Sequence, residues 1–195
     1  MITLIIVDCQ NDFISGTMAV NGAKEAVNNI KNFINENKDE IEKIIFTLDW
    51  HPYNHCSFKK DGGKWPIHCV QHTPGACIDS KLLKLVQSSG ISFQFSLKGQ
   101  EGEQYGAFED AEIIKDYLGT RIRFDTQSDA DTTTDFIICG IAGDYCVKET
   151  TENLLKYNIV PKMLMSGIAS IDNGKIINKY IEVNQLEKYE ELSNN

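Results

Sequence analysis

Short apolar runs alternate with segments of helical periodicity from the second residue onward, and this alternation limits the fold more than any other feature. Residues 2–7 form a nearly continuous apolar run, as expected of a strand covered on both faces. Residues 23–37 place Ala26, Ile30, Phe33 and Ile34 at helical spacing. Further strands are expected at 44–48, 92–97, 136–139 and 160–165, the last interrupted early by Pro161. Further helices are expected at 80–87, capped by Asp79 or Ser80, and at 108–118, 147–157 and 176–186. Strands alternating with helices imply parallel β-α-β units. The expected class is α/β: a doubly wound, mostly parallel sheet with helices on both faces. A length of 195 residues suits a single domain over 1–195.

The net charge of −9 argues against a nucleic-acid partner, which requires clustered Lys and Arg. The apolar N-terminal run is too short for a membrane span and lacks the basic region of a signal peptide. No membrane association is expected, and the expected location is the cytoplasm. The six cysteines are then expected to be largely reduced.

In open α/β sheets, ligands bind at the carboxyl ends of the strands. Asp8 follows the first expected strand, Asp49-Trp50-His51 the second, Lys98-Gly99 the third, and Gly140 to Val147 the fourth. An aspartate, an Asp/His pair, a lysine and Cys146 thus converge on one edge. Cys146 sits where a Gly-containing turn enters a helix, and a helix start and a nearby Lys98 ammonium both favour a thiolate. Asp8 is placed to accept the thiol proton and return it to a leaving amine. For a lone cysteine, a buried small residue would be the better reading; convergence with Asp8 and Lys98 favours a nucleophile. An Asp8–Lys98 pair alone would equally suit a structural ion pair.

All four histidines, His51, His55, His68 and His72, lie between residues 51 and 72, within the long segment 49–73. Asp49 and His51 are two apart on a strand end and point to one side. With His68 they make a two-His, one-carboxylate set that leaves coordination positions open, as catalytic metal sites do. His55 is a candidate fourth ligand or a group behind the ligands, and His72 reads as a loop residue. A structural zinc site using Cys56 and Cys69 is weaker, because the spacing lacks a C-x-x-C knuckle. Phe13 and Trp65 flank the proposed site and can sandwich a planar substrate. The polar segment 120–134 has no assigned role.

Several of these stretches carry a resemblance. Asp8-Cys9-Gln10-Asn11-Asp12-Phe13, Asp49-Trp50-His51-Pro52, Trp65-Pro66-Ile67-His68-Cys69-Val70-Gln71, Lys98-Gly99, Tyr105-Gly106-Ala107-Phe108 and Gly140 to Val147 resemble, in order, the motifs of nicotinamidases in the isochorismatase-like cysteine hydrolase family. The resemblance runs from residue 1 to about residue 157. It implies a catalytic triad of Asp8, Lys98 and Cys146, and a divalent metal on Asp49, His51 and His68, with zinc the first choice and iron or manganese the alternatives. It also implies a cis Ile141–Ala142 peptide, and an oxyanion hole from the N–H groups of Ala142 and Cys146. Nicotinamide would lie between Phe13 and Trp65, be hydrolysed to nicotinate and ammonia through a cysteine thioester, and serve NAD salvage; homo-oligomers are compatible with it. The chain departs from the family pattern at Gly143, where threonine is common and the turn is expected to loosen. It also lacks the usual arginine-containing motif over 166–173. The other readings are hydrolysis of a different small amide or carbamoyl compound, and a non-catalytic metal-binding protein with the same fold.

Overall fold

Five strands build the sheet in a computed structural model that describes residues 1–110, 112–114 and 134–189. They are β1 (Ile2–Val7), β2 (Ile41–Asp49), β3 (Ser92–Lys98), β4 (Asp135–Ile141) and β5 (Lys162–Ala169), in the order β3-β2-β1-β4-β5. Every pairing is parallel. The helices that cover the sheet are α1 (Asn11–Ile14), α2 (Ala23–Glu36), α3 (Ser80–Ser89), α4 (Lys148–Leu155) and α5 (Lys175–Val183).

The alternation of side chains along each strand divides the core in two. On one face Leu4, Ile6, Ile44 and Phe46 pack with Ile30 and Phe33 of α2 and with Leu82 and Val86 of α3. On the other, Ile5, Val7, Ile45 and Ile138 pack with Leu154 of α4 and with Ile177 and Ile181 of α5. The expected doubly wound sheet is therefore present, and among the described residues it is wholly parallel.

Several boundaries differ from expectation for local reasons. Strand β2 extends through Asp49 and β3 through Lys98, because these two residues still pair in register. Strand β5 starts just after Pro161 and runs on to Ala169, since proline has no N–H to give a sheet ladder. Asp79 is the cap of α3: its carboxylate accepts the Leu82 N–H at 2.8 Å. The helix expected from residue 147 instead begins at Lys148, after a π turn over Gly143–Val147. The helix expected at 108–118 falls only partly within the described residues, and the segment 120–134 lies almost entirely outside them.

No helix among the described residues is long and apolar enough to cross a membrane. Strand order reverses between β1 and β4, which leaves a crevice at their carboxyl ends. Asp8 leaves β1 into that crevice, and the π turn that carries Cys146 leaves β4 into it.

Candidate active site

Asp8, Asp49, Lys98 and Cys146 meet at this edge, each almost completely buried. Asp8 adopts a left-handed conformation with φ of 47°. Its Oδ1 accepts the Thr47 hydroxyl at 2.8 Å. Its Oδ2 lies 2.8 Å from Lys98 Nζ. The buried oxygen is held there by the ammonium charge. Lys98 Nζ also donates a short hydrogen bond to Asp49 Oδ1 and sits 3.7 Å from Cys146 Sγ. The ammonium thus bridges two carboxylates and a thiol. Sequence reasoning paired Lys98 with Asp8 and missed Asp49.

Burial and charge compete at each group. Burial alone would discharge Lys98, but Asp49 and Asp8 overcome it and hold the ammonium well above the usual lysine range. Burial pushes Asp49 up, yet Lys98 and His51 pull it below the usual carboxylate range. Burial raises Asp8 despite the opposing pull of Lys98. At Cys146 burial outweighs the lysine. Burial, helped by Asp8 and Asp49, raises its thiol well above the usual range, and Lys98 only partly opposes this. The lysine charge is already engaged by two carboxylates, which favours the thiol form. Its neighbour Asp8, itself shifted toward a proton, is the nearby group able to take that proton.

The Ile141–Ala142 peptide is cis. Ala142 and Cys146 line one cavity that is partly open to solvent. Phe13 and Trp65 line the same cavity. Phe13 lies 5.5 Å from the His68 ring, centroid to centroid. Tyr105, Tyr145 and Glu103 also line it; the first two belong to motif stretches, while Glu103 did not stand out in the sequence. Trp65 Nε1 donates to Tyr105 Oη at 3.0 Å, and Tyr105 donates to Glu103 at 2.6 Å.

Asp49, His51 and His68 present one ligand atom each within 4.8 Å of one another, all buried. Asp49 Oδ2 is 3.4 Å from His51 Nε2 and 3.8 Å from His68 Nε2. The opposite nitrogens are engaged by main-chain carbonyls: His51 Nδ1 with Gly99 at 2.7 Å and His68 Nδ1 with Pro66 at 2.7 Å. A carbonyl only accepts, so each Nδ1 carries a proton, and each Nε2 faces the Asp49 carboxylate. Burial lowers the His68 pKa, which favours its neutral, metal-binding form. Two imidazole nitrogens and a carboxylate oxygen turned toward one point make a donor set that fits zinc. Gly99 makes the geometry feasible: its φ is +65°, and a Cβ there would lie 2.5 Å from His51 Cε1.

His55 is not a member of this group. Its Nδ1 bonds Ser57 Oγ at 2.7 Å, its Nε2 meets the Gly102 carbonyl at 3.0 Å, and its ring stacks on His51 at 4.2 Å. Both nitrogens are engaged, so it supports His51 from behind. His72 lies apart, edge-on to Trp50. All six cysteines are free, and neither Cys56, which is exposed, nor Cys69, which is buried in the core, joins the ligand group.

Gln10 was part of a motif, yet its task was not legible. Its buried amide accepts the Asp49 N–H at 2.9 Å and donates to the Asp49 carbonyl at 2.8 Å and the Ala76 carbonyl at 2.9 Å. It therefore grips the main chain on both sides of Asp49. Gln10→Leu is expected to weaken zinc binding about 10–100-fold, as loss of an outer support does. Competition against a chromophoric chelator measures this.

Gly143 does not loosen the turn. A Cβ there would lie 2.2 Å from Ser170 Oγ and 2.8 Å from Ile168 Cγ2, so glycine lets β5 close on the π turn. Asp144 then ties the two together by accepting the Ile171 N–H at 3.0 Å and the Asp172 N–H at 3.2 Å. Gly143→Thr is expected to cost about 1–3 kcal/mol by overpacking. Thermal melting should show part of that loss restored by adding Ser170→Gly.

Known proteins share this fold. The isochorismatase domain matches residues 3–91. A nicotinamidase/pyrazinamidase from Mycobacterium tuberculosis is 31% identical, over 88% of this chain and 88% of its own. The pyrazinamidase of Pyrococcus horikoshii, solved in complex with zinc, is 26% identical with a TM-score of 0.76 over 97% of this chain and 99% of its own. The yeast nicotinamidase bound to the inhibitor nicotinaldehyde is 26% identical with a TM-score of 0.78 over 98% of this chain and all of its own. With a shared fold, and a relative this similar across most of both lengths, the chain belongs to the isochorismatase family.

Proposed function

We propose that this protein is a nicotinamidase, hydrolysing nicotinamide to nicotinate and ammonia. The observation that carries the reading is the meeting of Asp8, Lys98 and Cys146 at a cavity that also holds Asp49, His51 and His68. Phe13 and Trp65 on that cavity suit a planar ring. Related proteins are nicotinamidases, one of them solved with nicotinaldehyde bound.

Asp8 takes the proton of Cys146 as the carboxamide arrives, and Sγ attacks the carbonyl carbon. The N–H groups of Ala142 and Cys146 receive the developing oxyanion. Lys98 keeps both carboxylates in place and offsets charge as Sγ loses its proton. Asp8 hands the proton to the departing nitrogen, and ammonia leaves a thioester on Cys146. Water, deprotonated by Asp8, then cleaves the thioester and restores the thiol. Asp49, His51 and His68 would hold one divalent metal, zinc in first place, which would orient the ring nitrogen and lower the pKa of bound water.

A panel of amides tests the substrate. Zinc-loaded protein should release ammonia fastest from nicotinamide and pyrazinamide, more slowly from benzamide, which lacks a ring nitrogen, and least from linear carbamoyl compounds. A preference for the carbamoyl compounds would move the assignment to another amidase of this fold. No release from any of them would favour a non-catalytic metal-binding protein.

A further inference from the structure

A second set of metal-binding atoms lies beside the first and shares a residue with it. Asp8, Asp49 and Cys146 each offer one ligand atom within 4.8 Å of the others, all buried. Asp8 Oδ2 is buried and lies 2.8 Å from Lys98 Nζ. The set already contains a cation. Lys98 Nζ contacts both carboxylates and stands 3.7 Å from Sγ. Asp49 therefore turns Oδ1 to the ammonium and Oδ2 to His51 and His68. A carboxylate offering one oxygen to each of two cationic positions is the arrangement of a bridged two-metal centre.

We propose that Lys98 fills the second cation position of such a centre and keeps thiophilic divalent ions away from Cys146. Zinc binds carboxylate oxygen at about 2.0–2.2 Å and thiolate sulfur at about 2.3 Å. Atoms within 4.8 Å of one another need only small shifts to share one ion. The exchange also conserves charge. An ammonium and a thiol give way to a dication and a thiolate, the thiol proton passes to solvent, and the two carboxylates stay ionised. A metal-bound thiolate has its lone pair engaged and attacks a carbonyl poorly. An ammonium supplies the positive charge without coordinating sulfur. Arginine would be a poor substitute, since its broad planar fork does not fit a single point between three ligand atoms.

The test uses cobalt(II) as the probe, because sulfur ligation gives a charge-transfer band that oxygen and nitrogen ligation do not. The parent, Lys98→Ala, Lys98→Ser and Lys98→Ala/Cys146→Ser are loaded anaerobically with cobalt(II) and desalted. Bound cobalt per chain and the near-ultraviolet spectrum are then read. Both single variants should hold one equivalent more than the parent and gain the sulfur band. The double variant should lose the band. An unchanged stoichiometry in both single variants would overturn the proposal, as would an added equivalent without the band. If the single variants fold only with metal, cobalt should restore a cooperative melt, and adding Cys146→Ser should abolish that restoration. Failure of cobalt to restore the melt would also overturn it. The comparison reads a gain over the parent, whatever the parent binds. A parent that binds no metal would count against the Asp49/His51/His68 assignment and leave this comparison standing.

Discussion

Cys146→Ala is expected to slow nicotinamide hydrolysis about 10⁴-fold or more while leaving zinc content unchanged. The size follows from the chemistry. Without Sγ no covalent intermediate forms, and Asp8 has no thiol proton to move. The unchanged metal content follows from geometry, because Cys146 supplies no atom to the group of Asp49, His51 and His68. Cys139→Ala is the control: that thiol is buried in the core, and burial pushes it well above the usual thiol range. It should keep most of the parent rate. Initial rates of ammonia release for the two variants, with zinc measured on the same samples, check this. Near-parent hydrolysis by Cys146→Ala would remove the nucleophile from the account.

Asp49→Ala is expected to have the largest combined effect on metal binding and stability. Asp49 faces Lys98 with one oxygen and the two histidines with the other. Its loss leaves a buried ammonium with Asp8 as its remaining carboxylate, and breaking a buried pair in this way costs about 3–5 kcal/mol. It also removes the anionic ligand from the metal set, which should exceed the about 10–100-fold loss expected for an outer-support change such as Gln10→Leu. Thermal melting and zinc content after desalting read the two effects separately. The pH dependence has a definite sign. The native carboxylate lies below the usual range, held there against burial by Lys98 and His51. Its contribution is therefore full above the unfolded value of about 4 and declines as acid protonates the folded form. The stability difference between parent and Asp49→Ala should shrink as pH is lowered below about 4. A constant difference would mean that Asp49 acts through packing alone.

The strand-helix alternation and the polar residues at the strand ends were legible because both are local. Period two in β1 sends Leu4 and Ile6 to one face and Ile5 and Val7 to the other, so the sequence already carries the two-sided core. The placing of Asp8, Lys98 and Cys146 at one edge follows once the sheet is parallel. The contact of Lys98 with Asp49 did not follow, because it depends on β2 and β3 staying in register to their last residues. Gln10 was hidden for a similar reason: its partners are main-chain atoms 39 and 66 residues away. Side-chain type says nothing about such partners. The sign of the Lys98 effect on Cys146 was legible, but not the larger opposing effect of burial and of the carboxylates that share that lysine. Gly143 was read as slack in the turn, whereas it makes room for Ser170.

The most direct test of the central claim is intact-mass analysis of the zinc-loaded protein quenched in acid during its first turnovers of nicotinamide. The account predicts a transient species heavier by one nicotinoyl group, mapped by digestion to Cys146 and absent from Cys146→Ala. Turnover to nicotinate with no acylated protein at any quench time, or acylation at a different residue, would contradict it.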